Sequence, residues 1–385
     1  MPRTRAKKKI SRGDGIVRLA VVNLIRGGAS GGYRKYLEII PSLLGSSPAI
    51  SELEIFSPEG TQIPKGSRGH RMWPAADWMT GYRDLKRALL NFEPDVIFIP
   101  TARIINTPFP TVLMVRNMEP LVAPLVGNSF RDGLKNIGRR LVALESCRRA
   151  DRVIAVSPFV RDFLVRRWRL PDSKIGVVPH GAGTPLLSSS RTRPRVLDRL
   201  DRPMIFTAGS IRPSRGLEDV ILALPRLAGM GLDLILVVAG KVSGDASRYR
   251  KALDKLIESH SLSGSVVWAG ELSASEMAWC FAECATFVMT SRVEACPNTA
   301  LEALAYGAPC VATSLRPMPE TFGAAALYYE PGDSLGLADR LSMLLSLNES
   351  ERSDVVASAR RRGAEFTWQA TADATIRQLD LARKQ

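Results

Sequence analysis

The sequence predicts an α/β protein with two Rossmann-like domains, each built on a parallel sheet, and three observations support this fold class. The chain has 385 residues, which is enough for two domains with a full hydrophobic core each. Short apolar runs of strand length alternate with helical stretches, as is typical of parallel sheets covered on both faces. Residues 186–202 belong to a Ser-, Pro- and Arg-rich stretch that begins at Gly181, so they form the predicted linker.

The composition, with 45% hydrophobic and 24% charged residues, is that of a folded soluble protein. No apolar run reaches the roughly 18–20 residues that span a bilayer, and the charged N-terminus is not followed by a secretory cleavage pattern. We therefore expect a cytoplasmic protein. Its five cysteines lack a paired C-x-x-C spacing for zinc and are expected to be reduced, with Cys280 and Cys284 in a core.

The formal net charge of +15 admits nucleic acid, an anionic membrane or phosphorylated small molecules as partners. Nucleic acid is not expected, because no binding motif accompanies the charge and only 6% of the residues are aromatic. Residues 1–15 are predicted to be a disordered basic tail. That tail fits either a solubilising end or weak attraction to anionic lipid.

The first half opens with a strand at Val17–Ile25, which feeds a glycine-rich turn and then a helix. The turn does not meet the dinucleotide fingerprint, but Gly31 and Gly32 would let a ligand come close to the backbone. Ser157 and Pro158 predict a later helix start. The other strand-like runs of this half are Leu53–Phe56, Val96–Pro100, Thr111–Val115, Val153–Val156 and Lys174–Val178.

A basic amphipathic helix is predicted after residue 130. Apolar residues repeat at helical spacing at Leu134, Ile137, Leu141 and Leu144, while Arg131, Lys135 and Arg139 share another face. Two interpretations stay open. The apolar stripe is part of a core with a solvated basic face, or the helix rests as a peripheral element on an anionic membrane.

The second half begins with a strand at residue 204, a loop bearing Arg212 and Arg215, and a helix. Further strands are predicted at the apolar runs that follow, and Ser273 with Glu276 predicts a capping box. The last strands are expected at Phe287–Thr290, Pro309–Thr313 and Ala326–Tyr329.

The segment from Ser291 to Thr313 carries the strongest chemical signal. Pro297 suits a first helical position, and Gly307 followed by Pro309 ends the predicted ten-residue helix. The N–H groups from Asn298 and Thr299 onward could hold a diphosphate.

Glu294 and Glu302 bracket that helix start, and carboxylates beside a phosphate require a ligand with hydroxyl groups, such as a nucleotide sugar. The alternative is that Glu294 only complements the helix dipole and Glu302 is a solvated residue.

Glu294, seven intervening residues and Glu302, followed by Gly307 and Pro309, resemble the Glu-x-seven-Glu signature of retaining glycosyltransferases of family four. The resemblance implies the GT-B fold, in which two Rossmann-like domains face each other across a cleft, with the donor mainly on the second domain and the acceptor on the first. The implied bounds are 16–185 for the acceptor-side domain, 203–365 for the nucleotide-sugar domain and 366–385 for a terminal helix that packs back toward the first domain.

The resemblance also implies roles for single residues. Glu294 and Arg215 are the catalytic candidates, and Glu302 would contact the ribose. The family usually has an arginine directly after the glycine that matches Gly209 and a lysine at the place of Arg215; here Ser210 replaces that arginine, and Arg212 is expected to compensate. The predicted donor-binding residues are Gly31, Gly32, Gly209, Arg212, Arg215, Glu294, Asn298, Thr299 and Glu302.

The acceptor side departs from the family pattern. Many relatives carry a histidine after the strand Thr111–Val115, where this chain has Arg116, Asn117 and Glu119. The histidine's role cannot be transferred to any of them, and Arg116 and Asn117 become the acceptor-side candidates.

The predicted function is transfer of a sugar, of the hexosyl kind, from a nucleoside-diphosphate sugar to an acceptor hydroxyl with retained anomeric configuration. The expected acceptor is a glycan or a lipid-linked sugar, in surface-polysaccharide or lipopolysaccharide assembly at the inner face of a membrane. No cofactor is expected, and the lack of an Asp-x-Asp pair predicts that no metal bridges the diphosphate. A sugar-nucleotide epimerase and a non-catalytic scaffold that keeps the fold stay open as alternatives.

Overall fold

The computed structural model describes residues 17–25, 31–61, 70–73, 78–122, 130–182, 191–242 and 247–384. The chain divides into two compact units. The first comprises the described parts of Met1–Arg116 with Gly138–Pro179 and Trp368–Gln385, and the second those of Asn117–Ile137 and His180–Thr367. The predicted basic tail, the glycine-rich turn at 26–30 and the linker up to residue 190 lie outside the described residues, and the predicted domain bounds stay predictions.

The first unit is built on a parallel sheet. Its described strands are β1 (Val17–Val22), β2 (Ile50–Pro58), β3 (His70–Trp73), β4 (Val96–Ile99), β5 (Thr111–Val115), β6 (Arg152–Ala155) and β7 (Ile175–Val177). Their order across the sheet is β3-β2-β1-β4-β5-β6-β7, and every neighbouring pair is parallel. The sequence does not predict β3, because its four residues contain no apolar run.

Helices cover this sheet. In the first half of the chain they are α1 (Gly31–Gly45), α2 (Trp78–Phe92), α5 (Pro158–Arg166) and the part of α4 (Phe130–Arg149) that follows Ile137, whereas α3 (Glu119–Val122) and the start of α4 belong to the second unit. Ser157 caps α5 as predicted, since its side chain accepts a hydrogen bond from the Val160 N–H and Pro158 follows directly.

The second unit holds another parallel sheet. Its described strands are β8 (Met204–Ala208), β9 (Ile235–Ala239), β10 (Val266–Gly270), β11 (Thr286–Met289), β12 (Cys310–Thr313) and β13 (Ala326–Tyr329), in the order β10-β9-β8-β11-β12-β13. The helices of the second half of the chain are α6 (Leu217–Gly229), α7 (Ser247–Ser259), α8 (Ala274–Glu283), α9 (Asn298–Tyr306), α10 (Met318–Phe322), α11 (Ser334–Leu345), α12 (Glu349–Ala364) and α13 (Trp368–Arg383). The α/β class with two Rossmann-like parallel sheets is confirmed.

Both faces of the second sheet are buried, which explains why its strands are continuous apolar runs. One core cluster contains Phe206, Phe281 and Phe287, whose rings pack edge to face or tilted at 5.3–6.1 Å. The other contains Val220 and Leu236. The capping box of Ser273 and Glu276 at α8 is present as predicted.

The last helix, α13, belongs to the first unit. The Trp368 ring packs edge to face on Tyr36 of α1 at 5.9 Å. Gln378 accepts a hydrogen bond of 2.9 Å from Arg152 Nε and lies so close to Gly176 that a Cβ there would meet its side chain at 2.2 Å. The unit's sheet is thus covered by a helix that follows the whole second unit in sequence.

The apolar stripe of α4 faces outward, so its interpretation as a core stripe is wrong. Leu134 and Leu141 are 62% and 61% exposed, and Ile137 is exposed as well. The buried face of the helix carries Ala143 and Cys147 instead. The side chain of Arg131, which was expected on the basic face, lies outside the described part of the chain.

Crossing a bilayer takes a long and strongly apolar helix, which sets a requirement for the described helices. None of them is both long enough and apolar enough to do so.

Candidate functional site

The start of α9 lies where the sequence places it, with a shift of one residue. Pro297 is the N-cap and Asn298 the first helical residue, and the helix ends at Gly307, whose φ of 78° is left-handed. The N–H groups of Ala300 and Leu301 donate to the Pro297 carbonyl, which leaves those of Asn298 and Thr299 without an intrahelical acceptor. The Asn298 Oδ1 atom is buried and has no hydrogen-bond partner among the described residues.

Arg215 joins the loop after β8 to the segment before α9. Its Nη1 donates to Glu294 Oε1 and, at 3.0 Å, to Ser291 Oγ. The side chains of Arg215 and Glu294 are only 16% and 14% exposed. We call Arg215, Glu294 and Ser291 the Arg215 cluster. The two predicted catalytic residues are therefore in direct contact.

The absence of a side chain at Gly209 makes room for the Arg215 guanidinium. A Cβ at this position would lie 2.7 Å from Arg215 Cζ, and the φ of 141° is one that other residues rarely adopt. The guanidinium therefore packs on bare backbone. Next to it lies a cavity of about 10 Å³, lined by Gly209, Arg215 and Ser291 among others, which is room for one water molecule.

The loop that carries Arg215 is a short 3₁₀ turn, Pro213–Arg215, followed by Gly216 with a left-handed φ of 60°. Thr290 Oγ1 donates to the Arg215 carbonyl at 2.6 Å, and the Arg292 N–H donates to the Ser214 carbonyl at 2.8 Å. The end of β11 therefore fixes the turn through two hydrogen bonds.

An ion pair between Arg292 and the buried Asp219 lies next to the same turn. Arg292 donates to both carboxylate oxygens of Asp219 at 2.7 and 2.6 Å, and Asp219 is 2% exposed. Tyr329 Oη and the Gly332 N–H also donate to Asp219, at 2.9 and 3.0 Å. Burial alone would lower the pKa of Arg292, but the hydrogen bonds and charge of Asp219 raise it above its usual range, so the pair is ionised.

Sequence reasoning missed this ion pair. Asp219 lies in the first turn of α6 and Arg292 follows Ser291 directly, so both flank the predicted site residues. No motif marks a pair separated by so many residues.

Arg212 contacts Glu119 rather than the Arg215 cluster. The distance from Arg212 Nη1 to Glu119 Oε2 is 2.5 Å, and both residues belong to the second unit. The Nε atoms of Arg212 and of Arg215 are each buried without a hydrogen-bond partner among the described residues. Buried donors of this kind are rare in folded proteins and mark a place for an acceptor atom.

The other predicted residues are placed as follows. Glu302 is half-buried within α9, and Thr299 Oγ1 contacts Met289 Sδ at 3.9 Å. Arg116, in the first unit, has its guanidinium over the rings of Tyr33 and Tyr36 at 4.7 and 5.0 Å. Asn117 is exposed and accepts a hydrogen bond from the Glu119 N–H.

Gly31 and Gly32 begin α1 in the first unit, and a Cβ on Gly31 would meet no described atom within 4 Å. A residue with a side chain would therefore meet no described atom at the Cβ of position 31.

Two family models match this chain. Residues 45–184 match Glycosyltransferase Family 4, and residues 189–362 match Glycosyl transferases group 1. The second match contains the Arg215 cluster and α9.

Curated relatives are distant. The chain is 26% identical over 248 residues to the D-inositol 3-phosphate glycosyltransferase of Stackebrandtia nassauensis, covering 62% of this chain and 54% of that protein. It is 25% identical to the glycogen synthase of Mycobacterium tuberculosis, with 64% and 58% covered, and 25% identical to the O-antigen chain mannosyltransferase B of Escherichia coli, with 60% and 61% covered. The chain thus spans less than two thirds of the length of these relatives.

Solved structures share the fold at low identity. The sucrose-phosphate synthase from Thermosynechococcus elongatus superposes with a TM-score of 0.73 at 16% identity, covering 94% of this chain and 98% of that one. Anabaena Alr3699/HepE in complex with UDP and glucose superposes with a TM-score of 0.74 at 16% identity, covering 94% and 99%.

Proposed function

We propose that this chain, which belongs to the glycosyltransferases of group 1 and family four, transfers a sugar from a nucleoside-diphosphate sugar to an acceptor hydroxyl with retention of anomeric configuration. The single observation that carries the proposal is the pair of guanidinium groups of Arg212 and Arg215, each with a buried Nε–H that has no partner among the described residues. A diphosphate supplies the missing acceptor oxygens. Guanidinium groups suit such contacts because their donors match phosphate oxygens in pairs.

The step that accumulates negative charge is departure of the nucleoside diphosphate, as the bond between the anomeric carbon and the phosphate oxygen breaks. Arg215, Arg212 and the first N–H groups of α9 would stabilise that charge electrostatically. Because Arg215 is already held by Gly209 and the Pro213–Arg215 turn, little reorganisation is needed when the charge develops. The oxygen of the acceptor hydroxyl forms the new bond to the anomeric carbon, and its proton passes to a phosphate oxygen of the departing nucleoside diphosphate.

Glu294 would accept hydrogen bonds from the sugar hydroxyls, and Glu302 from the ribose. Glu294 is well placed for this role because Arg215 donates to one carboxylate oxygen, Oε1, and the second oxygen can accept from sugar hydroxyls. The same pairing keeps the carboxylate from repelling the diphosphate. We assign no covalent nucleophile, and the fixed cations would neutralise the leaving group without a metal.

Two of the similar proteins support a particular donor and a particular pathway for the proposed reaction. The Anabaena protein with the same fold is described in complex with UDP, with UDP and glucose, and with UDP-glucose, so a uridine diphosphate hexose is the first donor to test. The Escherichia coli O-antigen chain mannosyltransferase B supports a role in surface-polysaccharide assembly. The exposed leucines of α4, beside exposed Lys135, Arg148 and Arg149, fit a peripheral contact with an anionic bilayer.

A thermal-shift series with UDP, GDP, ADP and their sugar conjugates tests the proposal. A nucleotide at a hundred times its dissociation constant should stabilise the protein by about 2.7 kcal/mol. Glu302→Ala should lose most of that effect, whereas Glu294→Ala should keep it and lower turnover. Glu258→Ala, an exposed carboxylate on α7, is the matched control and should behave as wild type.

Equal nucleotide affinity in wild type and Glu302→Ala would contradict the assigned roles. Stabilisation by no nucleotide at all would favour the non-catalytic scaffold. Conversion of the donor to its epimer, with no free nucleoside diphosphate released in the presence of an acceptor, would favour the epimerase.

A further inference from the structure

The turn that carries Arg215 packs against the side chain of Arg292. A Cβ at Gly216, directly after the turn, would lie 3.0 Å from the Cζ and Nε atoms of Arg292. The backbone of Arg292 contacts the turn as well, because its N–H donates to the Ser214 carbonyl at 2.8 Å. The position of Arg292 therefore limits where the turn, and with it Arg215, can lie.

Two carboxylates hold the Arg292 guanidinium. Both oxygens of Asp219 accept from it at 2.7 and 2.6 Å, and Glu218 Oε1 lies 3.6 Å from its Nη2 atom. Asp219 and Glu218 are neighbours in the first turn of α6, the helix that begins directly after Gly216. The place of the guanidinium therefore depends on where these two carboxylates lie.

Each of the two carboxylates is bound in turn by a tyrosine. Tyr249 of α7 donates to Glu218 Oε2 at 2.5 Å, and Tyr329 of β13 donates to Asp219 Oδ2 at 2.9 Å. Tyr249 Oη also accepts from the Leu217 N–H at 2.9 Å, which satisfies a free donor at the start of α6. Two hydroxyl groups, from α7 and β13, therefore fix the carboxylate pair.

Burial keeps both tyrosines in the protonated form that can donate. Burial, and after it the hydrogen bond and charge of Glu218, raise the pKa of Tyr249 above its ordinary value. Burial, and after it the charge and hydrogen bond of Asp219, raise the pKa of Tyr329 in the same direction. Both hydroxyl groups therefore stay donors across the neutral pH range.

We propose that Arg292 is a positioning residue for Arg215, and that Tyr249 and Tyr329 set its place through the carboxylates that they bind. This inference rests on the proposed glycosyl transfer, in which Arg215 stabilises the departing diphosphate. The three residues act through the turn and need not touch the donor. A small shift of the turn would move the Arg215 guanidinium away from the oxygen on which charge develops, and electrostatic stabilisation depends on that preorganised distance.

The same contacts have a purely structural interpretation, in which they only stabilise the second unit. Strand β13 offers a control that separates the two, because Tyr328 directly precedes Tyr329 and lies on the opposite face of the sheet. The Tyr328 hydroxyl donates to the Gly323 carbonyl at 2.5 Å, and its ring packs on the core cluster of Phe206, whereas Tyr329 belongs to that of Val220. Loss of the Tyr328 hydroxyl should cost stability without moving the turn.

Tyr249→Phe, Tyr329→Phe and the control Tyr328→Phe test the proposal in the full chain. The melting temperature should fall by about 2–4 °C in all three, since each loses a hydrogen bond. Amide hydrogen exchange at Arg215 and Gly216, whose N–H groups donate within the turn, should become about tenfold faster only in the first two. In those two, kcat and kcat/KM should also fall together by about tenfold, because the weakened interaction is the one made with the developing charge.

Arg292→Lys tests the arginine itself. Lysine keeps the positive charge but cannot donate to both oxygens of Asp219 in parallel, so turnover should fall at least as much as in the tyrosine variants. Arg226→Lys, which alters an exposed pair with Asp339, is the matched control and should keep wild-type turnover. The tyrosine variants decide the proposal if Arg292→Lys does not fold.

Wild-type exchange rates in both tyrosine variants overturn the proposal, as do equally raised exchange and lowered kcat in Tyr328→Phe. Faster exchange with unchanged kcat overturns the catalytic part, because the turn would then move without consequence for the reaction. Failure of the proposed function is seen separately, in a wild type that binds no nucleotide and turns over no donor. The exchange rates alone then decide whether the tyrosines hold the turn of Arg215.

Discussion

The Arg215 cluster in the second unit and a cavity in the first unit, lined by Arg103 and Arg139 with Tyr82 and apolar side chains, present positive charge in opposite ways. Arg215 and Arg212 are paired with Glu294 and Glu119, and the cavity beside Arg215 holds about 10 Å³. Arg103, by contrast, is exposed and borders a cavity of about 330 Å³ with apolar walls. Under the proposed function, a diphosphate would meet arginines that already have carboxylate partners, and the hydroxyl groups of the donor would compensate those carboxylates.

The largest expected effect comes from removing the support behind Arg215. Asp219→Ala leaves the Arg292 guanidinium without its buried partner, and we expect about 3 kcal/mol of lost stability, because breaking one side of a buried pair strands the other charge. The fall in the melting temperature of Asp219→Ala measures this loss of stability. Asp339→Ala breaks an exposed pair with Arg226 and should cost less than about 1 kcal/mol. Similar losses in both variants would mean that the Asp219 pair does not support the second unit.

Gly209→Ala tests whether the fixed position of Arg215 matters. The added Cβ would displace the guanidinium, and we expect turnover to fall roughly a hundredfold, as when one preorganised donor to a developing charge is removed. Steady-state rates with the donor identified by thermal shift measure the loss. Gly264→Ala, where a Cβ meets nothing within 4 Å, is the matched control. Full activity in Gly209→Ala would contradict a role for the position of Arg215.

Glu119→Gln tests the difference between the two units. It removes the carboxylate partner of Arg212 and so makes this arginine resemble Arg103. Arg212 would lose its charged partner, so UDP should bind up to about fivefold more tightly, which is the upper end of the range for ion pairs near the surface. Titration at two salt concentrations measures it, with Glu365→Gln as the control. Weaker UDP binding in Glu119→Gln would instead mean that Glu119 positions Arg212 for the ligand.

The smallest effect concerns cysteine reactivity. Burial raises the pKa of Cys147 and of Cys280 to about 12, so at pH 8 only about one thiol in ten thousand is ionised at each, and these sites gain reactivity only as the pH approaches 12. Cys296 is half-buried and adjoins the Arg215 cluster. Iodoacetamide at pH 8 should therefore label Cys296 first, and UDP should slow the labelling severalfold. Mass spectrometry of the labelled peptides would reveal a different order if the cores open readily.

Much of the fold could be predicted from the sequence, because local signals and global structure agree. The strands of the second unit are continuous apolar runs, and the caps at Ser157 and Ser273 are where short polar side chains meet free N–H groups. The helix after Glu294 was predicted to within one residue of its start. Each of these features depends on neighbours within a few positions.

What the sequence could not provide depends on distant contacts. Periodicity identifies the stripe of Leu134 and Leu141 but does not say that Ala143 and Cys147 face the core instead. The short β3 adds an edge strand that only pairing with β2 makes recognisable. In the same way, the contacts that place Arg215 and engage Arg212 join residues far apart in sequence, so residue type alone could nominate these arginines but not their partners.

The helix α13 fixes an order of events during synthesis. It covers the first unit through Trp368 and Gln378, yet a ribosome produces it only after every residue of the second unit. The first unit therefore cannot complete its folding before the second unit has been synthesised, unlike the usual order in which the N-terminal domain matures first. Until Trp368 and the residues after it have left the ribosome, the sheet of the first unit lacks one of its covering helices.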